Sequence, residues 1–136
     1  MKTHTKIQSR VLKRWLPLPM ITLAMLACGH LGDRTTVVYG KVFDENQVPV
    51  DSILVQLRGA KLTGSIELKS TYTDENGDYE IALEVPRKFG QINVAIPYGK
   101  DNPKLEKIYS QATDIGGQSP PMIGKKRQWD FKLLAK

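Results

Sequence analysis

The sequence holds few side chains that could act as nucleophiles or metal ligands. Its only cysteine is Cys28, and its only histidines are His4 and His30. Nucleophilic catalysis needs a Ser, Cys or Thr beside a base that activates it. Zinc and iron sites usually take several imidazole or thiolate ligands. Both histidines precede residue 31 and so lie outside the part of the chain that we predict to fold as a domain. We therefore predict that the chain is not an enzyme and has no catalytic residue, cofactor or metal.

Cys28 follows a segment with the pattern of an export signal. Residues 1–14 are polar and basic, and residues 15–27 are apolar and uncharged. A basic region followed by a short apolar run is typical of a secretory signal. The run is shorter than the roughly 20 residues that cross a bilayer, so a permanent membrane span is the less favoured interpretation. A single cysteine also excludes a disulfide within the chain.

The end of the apolar run, Met-Leu-Ala-Cys-Gly at residues 25–29, resembles a bacterial lipobox. The resemblance implies that the Cys28 sulfur receives a diacylglyceryl group, that the signal is cut before this cysteine, and that the new amino group is acylated. It predicts a signal peptide at 1–27 and a tether at 28–34. Ordinary signal cleavage after Gly29 remains the alternative.

Acidic side chains cluster at two places, residues 44–45 and residues 74–78. From Asp74 the spacing Asp-x-Asn-x-Asp is similar to the start of a calcium loop, but the glutamate expected at the twelfth position is replaced by Val85. The same stretch contains Asn followed by Gly77, which supplies the positive φ of a tight hairpin. We predict a structural turn without a metal, and a carboxylate-pair hydrolase is the weakest alternative.

Aromatic residues suggest a second possible kind of site. Tyr79, Trp129 and Phe131 alternate with polar residues and are predicted to face the core. The other tyrosines with a possible surface position are Tyr39, Tyr72, Tyr98 and Tyr109. Exposed aromatic rings can stack on sugars, so an exposed row of them would favour a carbohydrate-binding face.

The elements that would position these residues are strands. Apolar and polar residues alternate over 36–43, 53–58, 79–85, 92–96 and 129–133, with weaker candidates at 69–73 and 107–112. Alternation buries one face of a strand and exposes the other, as in antiparallel sheets. After residue 34 the sequence shows no convincing helical period. The pattern predicts one all-β domain at 35–136, a sandwich of about seven short strands.

Two stretches, at residues 39–57 and 70–83, resemble the carboxypeptidase regulatory-like domain. The matching residues are Gly40, Val42, Asp44, Pro49, Val55, Leu57, Thr73, Asp74, Gly77 and Tyr79. The resemblance covers roughly residues 39–85 and implies a Greek-key, transthyretin-like β-sandwich. It implies little about activity, since a fold does not fix a function.

The distribution of charge argues against nucleic-acid binding. The formal net charge is +6, but five cations and no acid lie before Cys28, so the rest is close to neutral. A nucleic-acid partner would need a basic face on the folded domain, and the cluster at 125–127 is interpreted as a solvated loop. We predict a non-enzymatic, lipid-anchored envelope module at the outer membrane, with a structural, adhesion or scaffolding role. The alternative is a carbohydrate- or peptide-binding lipoprotein.

Overall fold

A computed structural model describes residues 32–136, of which 53% are in strands and 6% in a helix. The elements are β1 (Thr35–Asp44), β2 (Leu54–Lys61), β3 (Gly64–Tyr72), β4 (Asp78–Glu84), β5 (Ile92–Ala95), α1 (Pro103–Ile108), β6 (Tyr109–Gly116), β7 (Lys126–Gln128) and β8 (Asp130–Ala135). The strands form two sheets, and this part of the chain contains no closed barrel. The prediction of an all-β class is confirmed.

The first sheet is organised around β1. Its strand order is β4-β1-β8-β6, and β7 also lies beside β1. The strand β1 is antiparallel to β4 and parallel to β7 and β8. Between β7 and β8 the chain passes close to β1, where a Cβ on Gly40 would collide with the Trp129 carbonyl. Glycine is therefore required there because the two backbones approach so closely.

The second sheet has the order β3-β2-β5, and both of its ladders are antiparallel. Strands β2 and β3 form a hairpin whose tip is Leu62 and Thr63. A register shift between Leu57 and Arg58 interrupts the ladder of this hairpin.

The inner faces of the two sheets share one apolar core. From the first sheet and its neighbours it includes Val38, Val42, Tyr79, Ile81, Phe131 and Leu133, and from the second sheet and its flanks it includes Val50, Ile53, Val55, Leu57, Val94 and Leu105. Most of these side chains are those that the alternating pattern placed inward. Burial of each large aliphatic or aromatic side chain contributes about 1.5–3 kcal/mol, so this core is the main source of stability.

The structure differs from the predicted strand list in two ways. The strand β7 (Lys126–Gln128) precedes the last predicted strand and lies in the cluster interpreted as a loop, so this part of the chain has eight strands instead of the predicted seven. The helix α1 was also not predicted. It is only six residues long, which is too short to show a helical period, and it begins with Pro103 and buries only Leu105.

The prediction of a hairpin at residues 74–78 is wrong. The turn connects β3 of the second sheet to β4 of the first, and these two strands do not pair with each other. The turn is therefore a corner between sheets. The Lys69 ammonium, which donates to the Ala82 carbonyl at 2.8 Å, is one of the contacts beside this corner.

The compact unit begins at Asp33, slightly before the predicted domain boundary. The Arg34 guanidinium donates to the carbonyls of Val85 at 2.9 Å, Pro86 at 3.3 Å and Phe89 at 2.5 Å. Arg34, which the sequence assigned to the tether, is thus bonded into the domain. Cys28 and most of the predicted tether lie outside the described residues. Among residues 32–136, no helix has the length and apolar character needed to cross a membrane.

Candidate functional site

The main candidate site is a groove on the outer face of the first sheet, of about 570 Å³. It lies over β1 and β4 and extends to the end of β3. Its lining residues are Tyr39, Gly40, Lys41, Tyr72, Asp74, Asp78, Tyr79, Glu80 and Gln128. The groove thus combines aromatic rings with carboxylates, an ammonium group and an amide, a mixture suited to a polar organic ligand.

The strand register explains why these side chains meet. Tyr39 pairs with Glu80, and Lys41 pairs with Asp78, across the antiparallel ladder of β1 and β4. Paired residues project to the same face of a sheet, with Cβ atoms about 4.5–5.5 Å apart. On the other side of β1, Tyr39 is the register partner of Gln128. One face of three adjacent strands therefore supplies most of the groove.

Charges within the groove are partly paired. The Lys41 Nζ lies 3.2 Å from Asp78 Oδ1 and donates to the Asn76 carbonyl at 3.1 Å. Both partners of this ion pair are about half exposed, so its contribution to stability is small. Above the neighbouring strand, the Lys126 Nζ lies 5.1 Å from the centroid of the Tyr39 ring. Part of the cluster predicted as a solvated loop at 125–127 therefore belongs to β7 and borders the groove.

Asp74 is committed to the backbone of its own turn. Its Oδ1 accepts the amide of Asn76 at 2.9 Å and the amide of Asp78 at 3.0 Å. Gly77 has φ 73°, as predicted for the left-handed residue of this turn. Within residues 32–136, no three His, Cys, Asp or Glu side chains lie close enough together to hold a metal ion. The arrangement of the turn is explained by its own hydrogen bonds.

Tyr79 borders the groove, but its side chain packs in the core on the inner side of the sheet. Its ring packs at 6.2 Å from the Phe131 ring, and its hydroxyl donates to the Trp129 carbonyl. Burial raises the pKa of the Tyr79 hydroxyl well above its usual range, and the nearby carboxylates Asp130 and Asp114 raise it further. The hydroxyl therefore stays protonated as a structural donor. The predicted inward orientation of Tyr79 and Phe131 is confirmed, whereas Trp129 is only half-buried against the core.

The tyrosines with a predicted surface position do not form one row. Tyr72 is 56% exposed and Tyr39 is half-buried, and both line the groove. Tyr98 lies elsewhere, where its hydroxyl contacts the carbonyl of half-buried Tyr109 at 3.2 Å. The groove therefore offers a pair of aromatic rings rather than a continuous platform.

Sequence reasoning missed several residues that position the groove or its surroundings. Lys41 and Glu80 were not singled out, although their outward positions follow from the alternation of β1 and β4. Gln128 belongs to β7, which was not predicted as a strand. The fully buried Asn102 was also missed. Its side-chain oxygen accepts a hydrogen bond from the Leu54 backbone amide at 3.1 Å, and its side-chain nitrogen donates to the Leu54 carbonyl at 3.1 Å. The side chain thus takes the place of the backbone of a neighbouring strand. A lone Asn before a Pro gave no signal for this role.

Comparison of the chain with known protein families, with curated proteins and with solved structures finds no match.

Proposed function

We propose that the chain is a lipid-anchored, extracytoplasmic module of the bacterial envelope, held at the outer membrane through Cys28. Its β-sandwich would have a structural, adhesion or scaffolding role and no catalytic one. The anchor is supported by the basic region, the short apolar run and the single cysteine at its end. An attached diacylglyceryl group and an amide-linked chain supply enough buried methylenes for stable anchoring.

The observation that carries the proposal is the placement of the groove relative to the start of the domain. The chain leads into β1 at Asp33 and Arg34, and β1 then runs ten residues to Asp44. At about 3.3 Å per residue this strand is roughly 30 Å long. The groove reaches Tyr72 and Asp74, beside the far end of β1. A domain tethered at its first residue would thus hold the far part of this groove clear of the membrane surface, as a display or scaffolding module requires.

We infer the finer fold from the same residues that carry the family resemblance. A Greek-key, transthyretin-like sandwich of the carboxypeptidase regulatory-like type is supported by the structural use of the motif. Gly40 allows the close approach of Trp129, Asp44 and Asp74 bond the amides of their turns, and Gly77 takes a left-handed conformation.

The anchor can be tested on the full chain expressed in a bacterium with two membranes. Mass spectrometry of the mature N-terminus should show Cys28 as the first residue, carrying a diacylglyceryl group and an amide-linked acyl chain. The Cys28→Ala variant should lose the acyl mass and leave the membrane fraction. An unmodified chain beginning at His30, or an intact leader, would refute the anchor.

The second candidate function is carbohydrate binding in the groove, favoured by Tyr39 and Tyr72 beside carboxylate and amide groups. The mature protein in detergent can be applied to a glycan array. Tyr72→Ala should weaken any glycan signal by on the order of tenfold, the scale of one lost aromatic contact. Tyr98→Ala is the matched control, because Tyr98 is equally exposed outside the groove. Equal losses in both variants, or no glycan signal, would exclude the groove as a sugar site.

A further inference from the structure

The end of the domain where β1 begins has its own surface chemistry. We define the proximal end as Asp33 and Arg34 with three neighbouring segments, 60–64, 85–91 and 122–126. The bonds from Arg34 to the carbonyls of Val85, Pro86 and Phe89 hold the second of these segments directly beside the start of β1.

The other two segments are held at the same end. The amide of Ala60 donates to the Gln91 carbonyl at 3.0 Å, and a Cβ on Gly59 would lie 2.6 Å from the Phe89 ring. These contacts fix the β2–β3 hairpin tip beside the 85–91 segment. Gly124 donates its amide to Thr36 Oγ1 at 2.9 Å, which places the 122–126 segment against the first residues of β1.

The proximal end is basic and carries exposed apolar side chains. Leu62 at the hairpin tip is 107% exposed, and Met122 is 49% exposed. The exposed cations at this end are Lys61, Arg87, Lys88 and Lys125, and the nearby acids are Asp33 and Glu84. The ammonium of Lys126 lies over the Tyr39 ring, at the border between this end and the groove. A fully exposed leucine that shares a surface with Lys61 and Lys88 has no role in the core of the domain.

The opposite end has the reverse character. We define the distal end as the two turns 44–48 and 74–78 with residues 51 and 101. Its acids are Asp44, Glu45, Asp51, Asp74, Glu75, Asp78 and Asp101. Lys41 and Lys104 are paired with two of them, Asp78 at 3.2 Å and Asp51 at 2.6 Å. Lys100, next to Asp101, is a further exposed cation, and acids remain in excess at this end. The charge of the domain is therefore polarised along β1.

We propose that the proximal end is a membrane-contacting surface, with Leu62 inserted among lipid headgroups and the surrounding cations facing anionic phospholipids. The proposal rests on the proposed anchor at Cys28. Five peptide units separate Cys28 from Asp33, and a chain spans at most about 3.6 Å per residue, so the proximal end stays within roughly 18 Å of the bilayer. Attraction to an anionic surface acts over about one Debye length, 8–10 Å, which this tether brings within reach.

The opposite charges of the proximal and distal ends then fix the orientation of the domain at the membrane. Cations near an anionic bilayer stabilise contact and acids oppose it. The proximal end therefore faces the lipid and the distal end faces away, and the groove lies on the side of the domain between them, reaching the distal end at Asp74. The tether alone would leave the domain free to rotate, and the basic surface with Leu62 removes that freedom.

The test uses the full chain, processed in cells and reconstituted in vesicles of phosphatidylethanolamine and phosphatidylglycerol. An environment-sensitive fluorophore is attached through Leu62→Cys or, as the distal control, through Gln47→Cys. In the acylated protein the Cys28 sulfur is a thioether, so the introduced cysteine carries the only reactive thiol. The acyl mass of each preparation is recorded first.

With the acyl groups present, we expect a blue shift and quenching by lipid-borne quenchers for the label at residue 62 and neither for the label at residue 47. Replacing Lys61 and Lys88 with Gln should lower the ratio of docked to undocked domain by about fivefold for each charge. Exchange of phosphatidylglycerol for phosphatidylcholine should also lower the ratio of docked to undocked domain.

The outcomes separate the orientation from the anchor. An acylated chain whose label at residue 62 stays in water overturns the membrane-contacting surface and leaves the anchor intact. Equal quenching at residues 62 and 47 overturns the orientation, because the domain would then lie flat. A mature chain without acyl groups overturns the anchor, and the orientation is overturned with it.

Discussion

Two turns at the distal end have the same hydrogen-bond pattern but different fourth residues. They are Asp-Glu-Asn-Gln-Val at 44–48 and Asp-Glu-Asn-Gly-Asp at 74–78. In each turn the first aspartate accepts the amides of the third and fifth residues through Oδ1, at 2.8 and 3.0 Å in the first and 2.9 and 3.0 Å in the second. In each turn the fourth residue also donates its amide to the carbonyl of the first.

The fourth residue is left-handed in both turns, with φ 65° at Gln47 and 73° at Gly77. Gln47 is exposed, whereas a Cβ on Gly77 would lie 2.5 Å from the Val42 carbonyl oxygen and 3.1 Å from the Val50 nitrogen. The left-handed conformation alone therefore tolerates a side chain. Glycine is required in the second turn because that turn packs against the backbone of β1.

The largest expected effect is that of Gly77→Ala. A non-glycine residue in the left-handed region costs about 1–2 kcal/mol, and overpacking against a fixed backbone adds about 1–3 kcal/mol. Urea denaturation should therefore show a free energy of unfolding lowered by roughly 2–5 kcal/mol relative to the native chain. The matched control is Gln47→Ala, whose effect should lie within about 0.5 kcal/mol of zero, as for most surface changes. Similar losses in the two variants would contradict the role of close packing.

These turns also show how far the sequence determines the structure. The left-handed conformation of Gly77 was predictable, because Asn-Gly is a strong local signal. The sequence did not indicate the left-handed conformation at Gln47. This residue is held in that conformation by the hydrogen bonds of Asp44 and by the pairing of Pro49 with Phe43 and of Val50 with Val42. Nor did the sequence show that the second turn joins different sheets, because strand pairing depends on contacts distant in the chain.

The groove was predictable only in part. Alternation in β1 and β4 places Tyr39, Lys41, Asp78 and Glu80 outward, and the inward positions of Val38 and Ile81 follow from the same period. The neighbours across the ladder follow from the register, which the sequence of one strand does not contain. Tyr72 joins the groove because β3 ends beside the corner at residue 74.

The second prediction concerns the aspartates that the two turns share. Asp44→Ala and Asp74→Ala each remove an acceptor for two backbone amides in an exposed setting. Each should lower the free energy of unfolding by about 1–2 kcal/mol, since single hydrogen bonds contribute about 0.5–1.5 kcal/mol net. Chemical denaturation of both variants under one condition is the measurement. If the two losses differed by more than the error of the extrapolation, the turns would not be energetically equivalent.

A smaller effect, with the opposite sign, is expected for Gln47→Gly. Glycine relieves the cost of about 1 kcal/mol that a side chain bears in the left-handed region. It also adds about 0.4–1 kcal/mol of conformational entropy to the unfolded chain, which offsets most of that gain. The net change in the free energy of unfolding should be a gain of at most about 0.5 kcal/mol. A clear loss would show that the Gln47 side chain makes a stabilising contact.

The smallest expected effect is that of calcium, which should leave the melting temperature of the full chain unchanged. Each turn presents an Asp-x-Asn spacing, and only the second adds a carboxylate at its fifth position, Asp78. Calcium takes six to eight oxygen ligands. In the second turn Oδ1 of Asp74 is already bonded to two amides, and Asp78 is paired with Lys41. Melting curves with a chelator and with millimolar calcium should therefore coincide for the native chain. A rise in melting temperature with calcium that is lost in Asp74→Ala but kept in Asp44→Ala would contradict this prediction. It would show that the second turn binds calcium and that the additional carboxylate, Asp78, distinguishes it from the first turn.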